Sequence, residues 1–175
     1  MIIIIFKFII WLILLTLALT ALSLAPWVPT RKNDLERVKT IANLTKGQIF
    51  YDLGCGDGRV SAYIGKNSEA KAIGIELAVP FYIICKIRKL IYKDDNLEFK
   101  LKSLFQEDLR QADAVYLFAA NSKKLTGKII EKLAKELKPC AKVISYAFPI
   151  NSWTAKLIDK PTPNDVTIYL YEINK

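Results

Sequence analysis

Three glycines at alternate positions mark the stretch of the sequence best suited to chemistry. Gly54, Gly56 and Gly58 follow a short apolar run, 48–53, that predicts a buried strand, and a helical pattern resumes after them. Glycine has no side chain to hold a ligand away and tolerates positive φ, so its backbone can approach a ligand closely. The start of the following helix offers unpaired N–H groups. A strand, a glycine turn and a helix start therefore predict a nucleotide-type site.

Two carboxylates indicate which ligand this loop would take. The spacing is GxGxG and not the dinucleotide fingerprint GxGxxG, because Arg59 stands where the third glycine would be. Asp52 precedes the loop, where a carboxylate would repel pyrophosphate but attract the ammonium group of an amino acid. Glu76 ends the next predicted strand, about 20 residues on, where a ribose-binding carboxylate is expected. Together they predict S-adenosylmethionine; the alternative is an ordinary tight turn.

Composition excludes several mechanisms. The 175 residues carry a net charge of +9 and include no histidine, so a Ser-His-Asp triad, a Cys-His pair and an imidazole base are excluded. Cys55, Cys85 and Cys140 are far apart without CxxC spacing, which predicts reduced thiols and no metal site. Cys55 lies within the glycine loop, either as a reactive thiol or as a small tolerated residue. The positive charge fits anionic lipid or nucleic acid and does not decide between them.

The N-terminal segment predicts a membrane anchor. Residues 1–25 are almost wholly apolar, interrupted only by Lys7, and a helix of that length covers the ~30 Å hydrocarbon core. A secretory signal peptide is the competing interpretation, disfavoured by the long apolar run and the position of the charge. Basic residues are concentrated over 31–39, so the positive-inside rule predicts a single-pass protein with a cytoplasmic domain. We therefore expect the lipid bilayer to be a partner through this helix.

A linker and an amphipathic helix over 26–46 join this anchor to the domain that begins at residue 47. Asn33 and Glu36 have the spacing of a capping box at the start of that helix. Trp27 is expected either at the headgroup level of the membrane or as a lid over the cofactor.

Strands and helices alternate over the remaining residues, 47–175. We predict strands over 48–53, 71–76, 97–101, 113–118 and 142–148, separated by helices over 59–66, 80–92 and 122–137. A last strand, 166–173, is expected to run antiparallel at an edge. The apolar side chains of the second helix are expected in the core: Phe81, Ile84, Ile87, Leu90 and Ile91. This order predicts an α/β protein with a doubly wound, mostly parallel sheet, whose ligands lie beyond the carboxyl ends of the strands.

The motifs resemble those of a known family. DLGCGDGRV over 52–60, followed by GIEL over 74–77, is similar to motifs I and II of the class I S-adenosylmethionine-dependent methyltransferases, which have a Rossmann-like fold. Across 27–172 the chain resembles the small membrane-anchored protein-lysine methyltransferases, whose members act on the ATP synthase c subunit and the adenine nucleotide translocase. The FPxxxW element over 148–153 points to this subgroup. The resemblance implies N-methylation of lysine in a membrane or membrane-proximal protein.

The resemblance and the predicted topology together give two sets of site residues. The expected cofactor-binding residues are Asp52, Gly54, Cys55, Gly56, Asp57, Gly58, Glu76, Leu77, Ser103, Leu104 and Phe118. Ser103 departs from the family, which usually has an acid before this leucine. The expected catalytic residues are Asn121, whose amide oxygen could orient an amine, and Tyr146 and Trp153, whose faces, with Phe148, could hold an ammonium group. The alternative for Tyr146 and Phe148 is a place in the core.

Two other functions remain open at this point. The same enzyme class could act on a lipid headgroup or a hydrophobic small molecule, because an anchor requires only nearness to the bilayer. A protein that binds S-adenosylmethionine without catalysis is the other alternative, and Ser103 is its one sign. A nucleic-acid partner is not expected. No NPPY-like element follows the fourth strand, so the chain resembles the DNA-adenine and glutamine methyltransferases poorly.

Overall fold

A computed structural model describes residues 2–23, 28–118 and 123–174 of the chain. The helices are α1 (Ile2–Ser23), α2 (Leu35–Ala42), α3 (Arg59–Asn67), α4 (Val79–Tyr92) and α5 (Lys123–Glu136). The strands are β1 (Ile49–Leu53), β2 (Lys71–Glu76), β3 (Leu97–Leu101), β4 (Ala114–Leu117), β5 (Lys142–Tyr146), β6 (Leu157–Asp159) and β7 (Ile168–Glu172).

The strands form one sheet in the order β3-β2-β1-β4-β5-β7-β6. The first five strands pair in parallel, and β7 is antiparallel to both β5 and β6. The predicted α/β class and mostly parallel sheet are therefore confirmed. The strand order reverses between β1 and β4, so the switch point, where ligands of such sheets bind, lies at the carboxyl end of β1.

The last strand does not lie where we predicted. It runs antiparallel as expected, but the edge of the sheet is β6, which pairs with it through Leu157, Ile158 and Asp159. The edge prediction is wrong because β6 has three residues and is largely exposed, which leaves no alternating pattern to detect.

Alternating side chains of the sheet build two apolar layers. Phe50, Ile144 and Tyr146 pack on one face beneath α2 and α3, and Val115 and Tyr171 pack on the other beneath α5. Phe50 and Asp52 point to the first face, since side chains two apart share a face of a strand. This alternation brings the Asp52 carboxylate to the start of α3.

Helix α2 is tied to the far edge of the sheet. The Arg37 guanidinium donates to Asp34 Oδ1 at 2.8 Å, to Asp159 Oδ2 at 2.7 Å and to the Val166 carbonyl at 3.0 Å. At the other end of α2, Lys142 Nζ donates to the Ala42 carbonyl at 2.7 Å. The segment before the sheet is thus fastened to β5, to β6 and to the chain between β6 and β7.

The capping box predicted for this segment is wrong. A 3-10 turn over Lys32–Asp34 precedes α2, so Asp34, and not Asn33, is the residue at its start. Glu36 accepts from the Tyr63 hydroxyl at 2.7 Å and pairs with Lys39 instead of turning back to the helix start. The preceding turn displaces the start of the helix from the position that the spacing indicated.

Helix α4 is turned away from the orientation that we predicted. Cys85 is its fully buried residue, and the prediction of core positions is wrong for Ile84, Ile87, Leu90 and Ile91, which are 43% to 73% exposed. Periodicity identified residues that share a face, but two contacts set the direction of that face. The Cys85 thiol donates to the Gly56 carbonyl at 3.1 Å, and Arg88 Nε donates to the Asp57 carbonyl at 2.8 Å.

Among the residues whose side chains the structure describes, no helix is long and apolar enough to cross a membrane. Trp27, predicted as an interfacial anchor or a lid, lies outside the described residues.

Candidate active site

The glycine loop between β1 and α3 uses its glycines in two different ways. Gly54, Gly56 and Gly58 all have positive φ, at 76°, 55° and 72°. A Cβ on Gly54 would meet nothing within 4 Å, so this part of the backbone is open to a ligand. A Cβ on Gly58 would lie 2.6 Å from the ring of Phe99, so Gly58 permits close packing instead. The loop therefore combines one open glycine with one packed glycine.

Backbone hydrogen bonds hold this loop over the end of β2. The N–H groups of Gly54 and Cys55 both donate to the Ile75 carbonyl at 2.9 Å. Farther along, the Gly58 N–H donates to the Cys55 carbonyl at 2.8 Å. These bonds bring the loop next to Glu76, the last residue of β2, as the topology predicted.

The Glu76 carboxylate is held in place by backbone amides. Its Oε2 accepts from the Gly56 N–H at 2.8 Å, and its Oε1 accepts from the N–H groups of Leu77 and Ala78 at 2.8 and 2.7 Å. Burial raises the pKa of Glu76, and these three donors act against that rise. A carboxylate offers about four acceptor positions, so one remains for a hydroxyl group of a ligand.

Asp52 braces the first turn of α3. It is 2% exposed, and its Oδ2 accepts from the Ser61 hydroxyl at 2.8 Å and from the Ser61 N–H at 3.2 Å. Burial raises the pKa of Asp52 to about 7, and the nearby charges of Glu76 and Asp57 add to the rise. Its contact with the ammonium group of a ligand stays a prediction.

Asp57 forms ion pairs with two arginines. Its carboxylate accepts from Arg59 Nη2 at 2.9 Å and from Arg88 Nη2 at 3.1 Å, and Arg59 Nη1 donates to the Thr30 carbonyl at 3.1 Å. The structure therefore places Asp57 where it joins α3, α4 and the segment before α2. A direct role of Asp57 in cofactor binding remains a prediction.

Cys55 faces the interior of the protein. Its sulfur lies 3.8 Å from the sulfur of Cys85, and burial raises the pKa of the Cys55 thiol well above its usual range. Nucleophilic cysteines are thiolates, so a buried neutral thiol favours the small tolerated residue over the reactive one.

The remaining predicted cofactor residues lie at the ends of β2, β3 and β4. Leu77 is half exposed beside Glu76, and Leu104 is buried. The Ser103 hydroxyl accepts from the Phe105 N–H at 3.4 Å at the start of a 3-10 turn. Phe118 follows β4 and is half-buried. All four follow carboxyl ends of parallel strands, at the edge of the sheet where ligands bind.

Three aromatic rings meet where β4 and β5 end. The Phe118 ring packs edge-on against Tyr146, with centroids 4.9 Å apart, and lies 6.1 Å from the ring of Phe148. Tyr146 is buried, and its hydroxyl donates to Asp34 Oδ2 at 2.5 Å. Burial, and then this hydrogen bond, raise the pKa of Tyr146 to about 12. Tyr146 therefore supports Phe118 from below, and Phe148, 37% exposed, forms the outer surface.

The structure does not bring Trp153 to these rings. Trp153 packs edge-on against Tyr171 in the layer beneath α5, on the opposite face of the sheet from Tyr146. Ala147 has a positive φ of 68°, and the Ser145 hydroxyl donates to the Phe148 carbonyl at 2.6 Å, so the chain turns across the end of β5. The prediction that Tyr146 and Trp153 hold an ammonium group together is therefore wrong. Asn121 lies outside the described residues.

Comparison with known proteins identifies the family of this chain. Residues 52–157 match the family model of the ANTKMT methyltransferase domain. The chain belongs to this family. A protein-lysine N-methyltransferase of Saccharolobus islandicus is 30% identical over 159 residues, covering 86% of this chain and 94% of that protein. A Caenorhabditis elegans lysine N-methyltransferase named for the ATP synthase c subunit is 28% identical over 134 residues, covering 71% of this chain and 67% of that protein.

Solved structures agree with this membership. The crystal structure of an RNA methyltransferase from Salinibacter ruber, in complex with S-adenosyl-L-homocysteine, superposes with a TM-score of 0.76 at 26% identity, covering 83% of this chain and 94% of that one. A methyltransferase from Thiobacillus denitrificans, also with S-adenosyl-L-homocysteine, superposes at 0.55 and 19% identity over 68% of this chain and 49% of that one. The protein is an S-adenosylmethionine-dependent methyltransferase, and the predicted cofactor and enzyme class are confirmed.

The residues of this methyltransferase fit that cofactor. Glu76 keeps one acceptor position for a ribose hydroxyl, and the open side of Gly54 leaves backbone accessible to the ligand. The Ser103 hydroxyl stands where the resemblance implies an acid. It can accept a hydrogen bond as an acid would, although without charge.

Sequence reasoning missed the part that 28–34 plays beside the site of this methyltransferase. The Thr30 hydroxyl lies 2.6 Å from the hydroxyl of Tyr116, and the Thr30 carbonyl accepts from Arg59. Asp34 accepts from Tyr146, as described above. The available signal was that the resemblance to the family begins at residue 27, before the motif loop.

Proposed function

We propose that the protein N-methylates lysine side chains of a membrane or membrane-proximal protein. The observation that carries the proposal is the position of the exposed Phe148 ring and the half-buried Phe118 ring, which follow parallel strands at the same edge of the sheet as the cofactor loop. The names of the two lysine methyltransferase relatives support the same acceptor. The aromatic faces suit a lysine, because they can pack its methylene stem and attract its ammonium group.

The acceptor must reach the site without its proton. The pKa of lysine in water is ~10.4, and transfer to a site with little water lowers it, so the proton leaves to solvent as the side chain enters beside Phe118 and Phe148. Bound S-adenosylmethionine supplies a methyl group on a positively charged sulfur. Glu76 and the loop at Gly54 hold the donor side, and the aromatic pair holds the acceptor side. Alignment of this kind supplies about 7–11 kcal/mol without acid-base catalysis by the protein.

We also propose that α1 anchors the enzyme as a single-pass membrane helix with the domain on the cytoplasmic side. Its sequence is apolar apart from Lys7, and the side chains described in it are exposed, as lipid-facing side chains would be. Basic residues follow it at Arg31 and Lys32. An acceptor in or near the bilayer follows from this placement.

A second candidate function is methylation of RNA. The match to the solved RNA methyltransferase covers 94% of that protein, and the net charge of +9 would attract phosphate. Methylation of a lipid headgroup or a hydrophobic small molecule is a third candidate, supported by the apolar N-terminal segment alone.

The acceptor class can be read directly from membranes. Membranes that contain the full chain are incubated with S-adenosylmethionine that carries a radiolabelled methyl group. The labelled membranes are then treated with protease, treated with ribonuclease or extracted for lipid, and the label in each fraction is measured. We expect protease-sensitive label and methyllysine after acid hydrolysis. Label lost to ribonuclease would identify RNA as the acceptor in place of lysine. Label extracted with lipid would identify a lipid or a hydrophobic small molecule. Retention in membranes after an alkaline wash tests the anchor.

A matched pair of variants ties the label to this site. Glu76→Gln should lower the affinity for S-adenosylmethionine about 10- to 100-fold, because the charge that accepts the hydroxyl is lost and an amide N–H₂ faces a backbone donor. Glu98→Gln changes the same groups on β3, in a surface pair with Lys71, and should leave affinity unchanged. Equal affinity in both variants would show that Glu76 does not bind the cofactor.

A further inference from the structure

The outward face of α4 is unusual for a helix beside water. Five large apolar side chains on it, here called the α4 arc, are 43% to 73% exposed: Ile83, Ile84, Ile87, Leu90 and Ile91. At 3.6 residues per turn they fall within an arc of about 120°, on the side opposite the buried Cys85. Contiguous exposed apolar surface of this kind marks an interaction site, whereas single exposed residues do not.

The α4 arc cannot turn inward to find cover. Cys85 is buried against the glycine loop, and Arg88 is bound to both the carbonyl and the carboxylate of Asp57. Rotation of α4 would break these bonds and leave the Asp57 charge buried with one arginine fewer. The outward direction of the arc is therefore built into the fold.

Lysines border the arc and the end of its helix. Lys86 lies on α4 next to the arc, and Lys93 directly follows the helix. A cleft of 720 Å³ at the amino-terminal ends of β1, β2 and β3 is lined by Lys46, Lys66 and Lys93 and by Tyr92 at the end of α4. Lys71 in the same cleft pairs with Glu98, and Asp94 and Glu69 offset part of its positive charge. The arc thus combines apolar surface with nearby cations, as helices that bind membrane surfaces do.

We propose that α4 lies on the surface of an anionic phospholipid bilayer, with the α4 arc at the acyl boundary and the neighbouring lysines on headgroup phosphates. Helix α1, whose described side chains are apolar and exposed apart from the charge of Lys7, contacts α4. Lysines close to an anionic membrane surface are attracted to it and strengthen binding. This contact goes beyond the anchor proposed above, because an anchor through α1 alone would leave α4 in water.

A probe on the arc separates this contact from the anchor. In a full chain carrying Cys140→Ser, which removes the exposed thiol and leaves the two buried ones, Leu90→Cys or Glu131→Cys is labelled with an environment-sensitive fluorophore. Glu131 is exposed on α5 and serves as the control. In phosphatidylcholine vesicles containing phosphatidylglycerol, we expect nitroxide lipids to quench the probe at residue 90 several-fold more strongly than at residue 131. Omitting phosphatidylglycerol should weaken this quenching.

Substitutions test which residues make the contact. Ile87→Ser combined with Ile91→Ser should lower the quenching at residue 90 to the level at residue 131. Ile158→Ser removes an equally exposed apolar side chain from β6 and should leave the quenching unchanged. Equal quenching at both probes in vesicle-bound protein would overturn the proposal while leaving the α1 anchor in place. If the probe at residue 90 becomes shielded without vesicles, and more so at higher protein concentration, the α4 arc binds a second copy of the chain and the membrane proposal is overturned.

Discussion

Asp52 should make the stability of this methyltransferase fall as the pH rises from about 4 to 7. Burial raises its pKa to about 7 from the ordinary 3.8. A carboxyl group whose pKa is raised by folding stabilises the folded state while it is protonated. This contribution is complete below the pKa of the unfolded chain and is lost as the pH rises to the folded pKa. The loss therefore falls between about pH 4 and pH 7.

Asp52→Asn should remove this loss. Both hydrogen bonds from Ser61 end on Oδ2, so an amide oxygen in its place can accept them, while the amide does not ionise. The two pKa values differ by about three pH units, each worth ~1.4 kcal/mol. Between about pH 4 and pH 8, the wild type should lose roughly 4 kcal/mol more of its free energy of unfolding than the variant.

Urea unfolding of the full chain in one detergent, followed by tryptophan fluorescence across this pH range, measures the difference. Asp95→Asn, in an exposed turn before β3, is the control and should follow the wild type. A difference between Asp52→Asn and the wild type that stays constant with pH would refute the assignment of a buried neutral Asp52. Calorimetric titration of the same variant with S-adenosylmethionine adds a second result, since weaker binding together with a higher stability would support the predicted ammonium contact.

Three other substitutions test separate parts of the site. Gly58→Ala should lower the stability by about 2–4 kcal/mol, because its Cβ would meet the Phe99 ring at 2.6 Å in a backbone conformation that favours glycine. Thermal unfolding measures this change, and a loss below ~1 kcal/mol would contradict the packing at Gly58. Tyr146→Phe should cost about 1–3 kcal/mol of stability by removing a donor to Asp34, with an unchanged KM for a lysine peptide, whereas a raised KM would assign the hydroxyl to acceptor binding. Phe148→Ala should raise that KM about tenfold, with unchanged calorimetric affinity for the cofactor; an unchanged KM would remove Phe148 from the acceptor site.

The buried strands could be predicted closely from the sequence. The bounds of β2 and β3 agree with the prediction to the residue, because the apolar run of each is bounded by a polar residue on both sides. The edge strand β6 could not be found in this way. It is short and largely exposed, so its pairing with β7 depends on the contacts of distant segments and not on a local pattern.

Directions in space were harder to predict than the elements themselves. The periodicity of α4 correctly grouped Ile84, Ile87 and Ile91, but the contact between Cys85 and Gly56, distant in sequence, turned that group outward. The position of Trp153 depended on the left-handed conformation of Ala147, which nothing in the residue type indicates. Glu76 was easier to place, because the end of a parallel strand next to the glycine loop allows one location.

The bonds made by α2 define the smallest fragment that could fold. A chain trimmed to begin at residue 47 would keep every central strand of the sheet yet remove Arg37, and with it the cation that holds Asp159 at the outermost strand. The same cut would strip the Tyr146 hydroxyl and the Lys142 ammonium of their acceptors and bare the apolar layer that Val38 covers. Any shortened form made for crystallisation should therefore keep the chain from Thr30 onward, whose hydroxyl and carbonyl engage Tyr116 and Arg59.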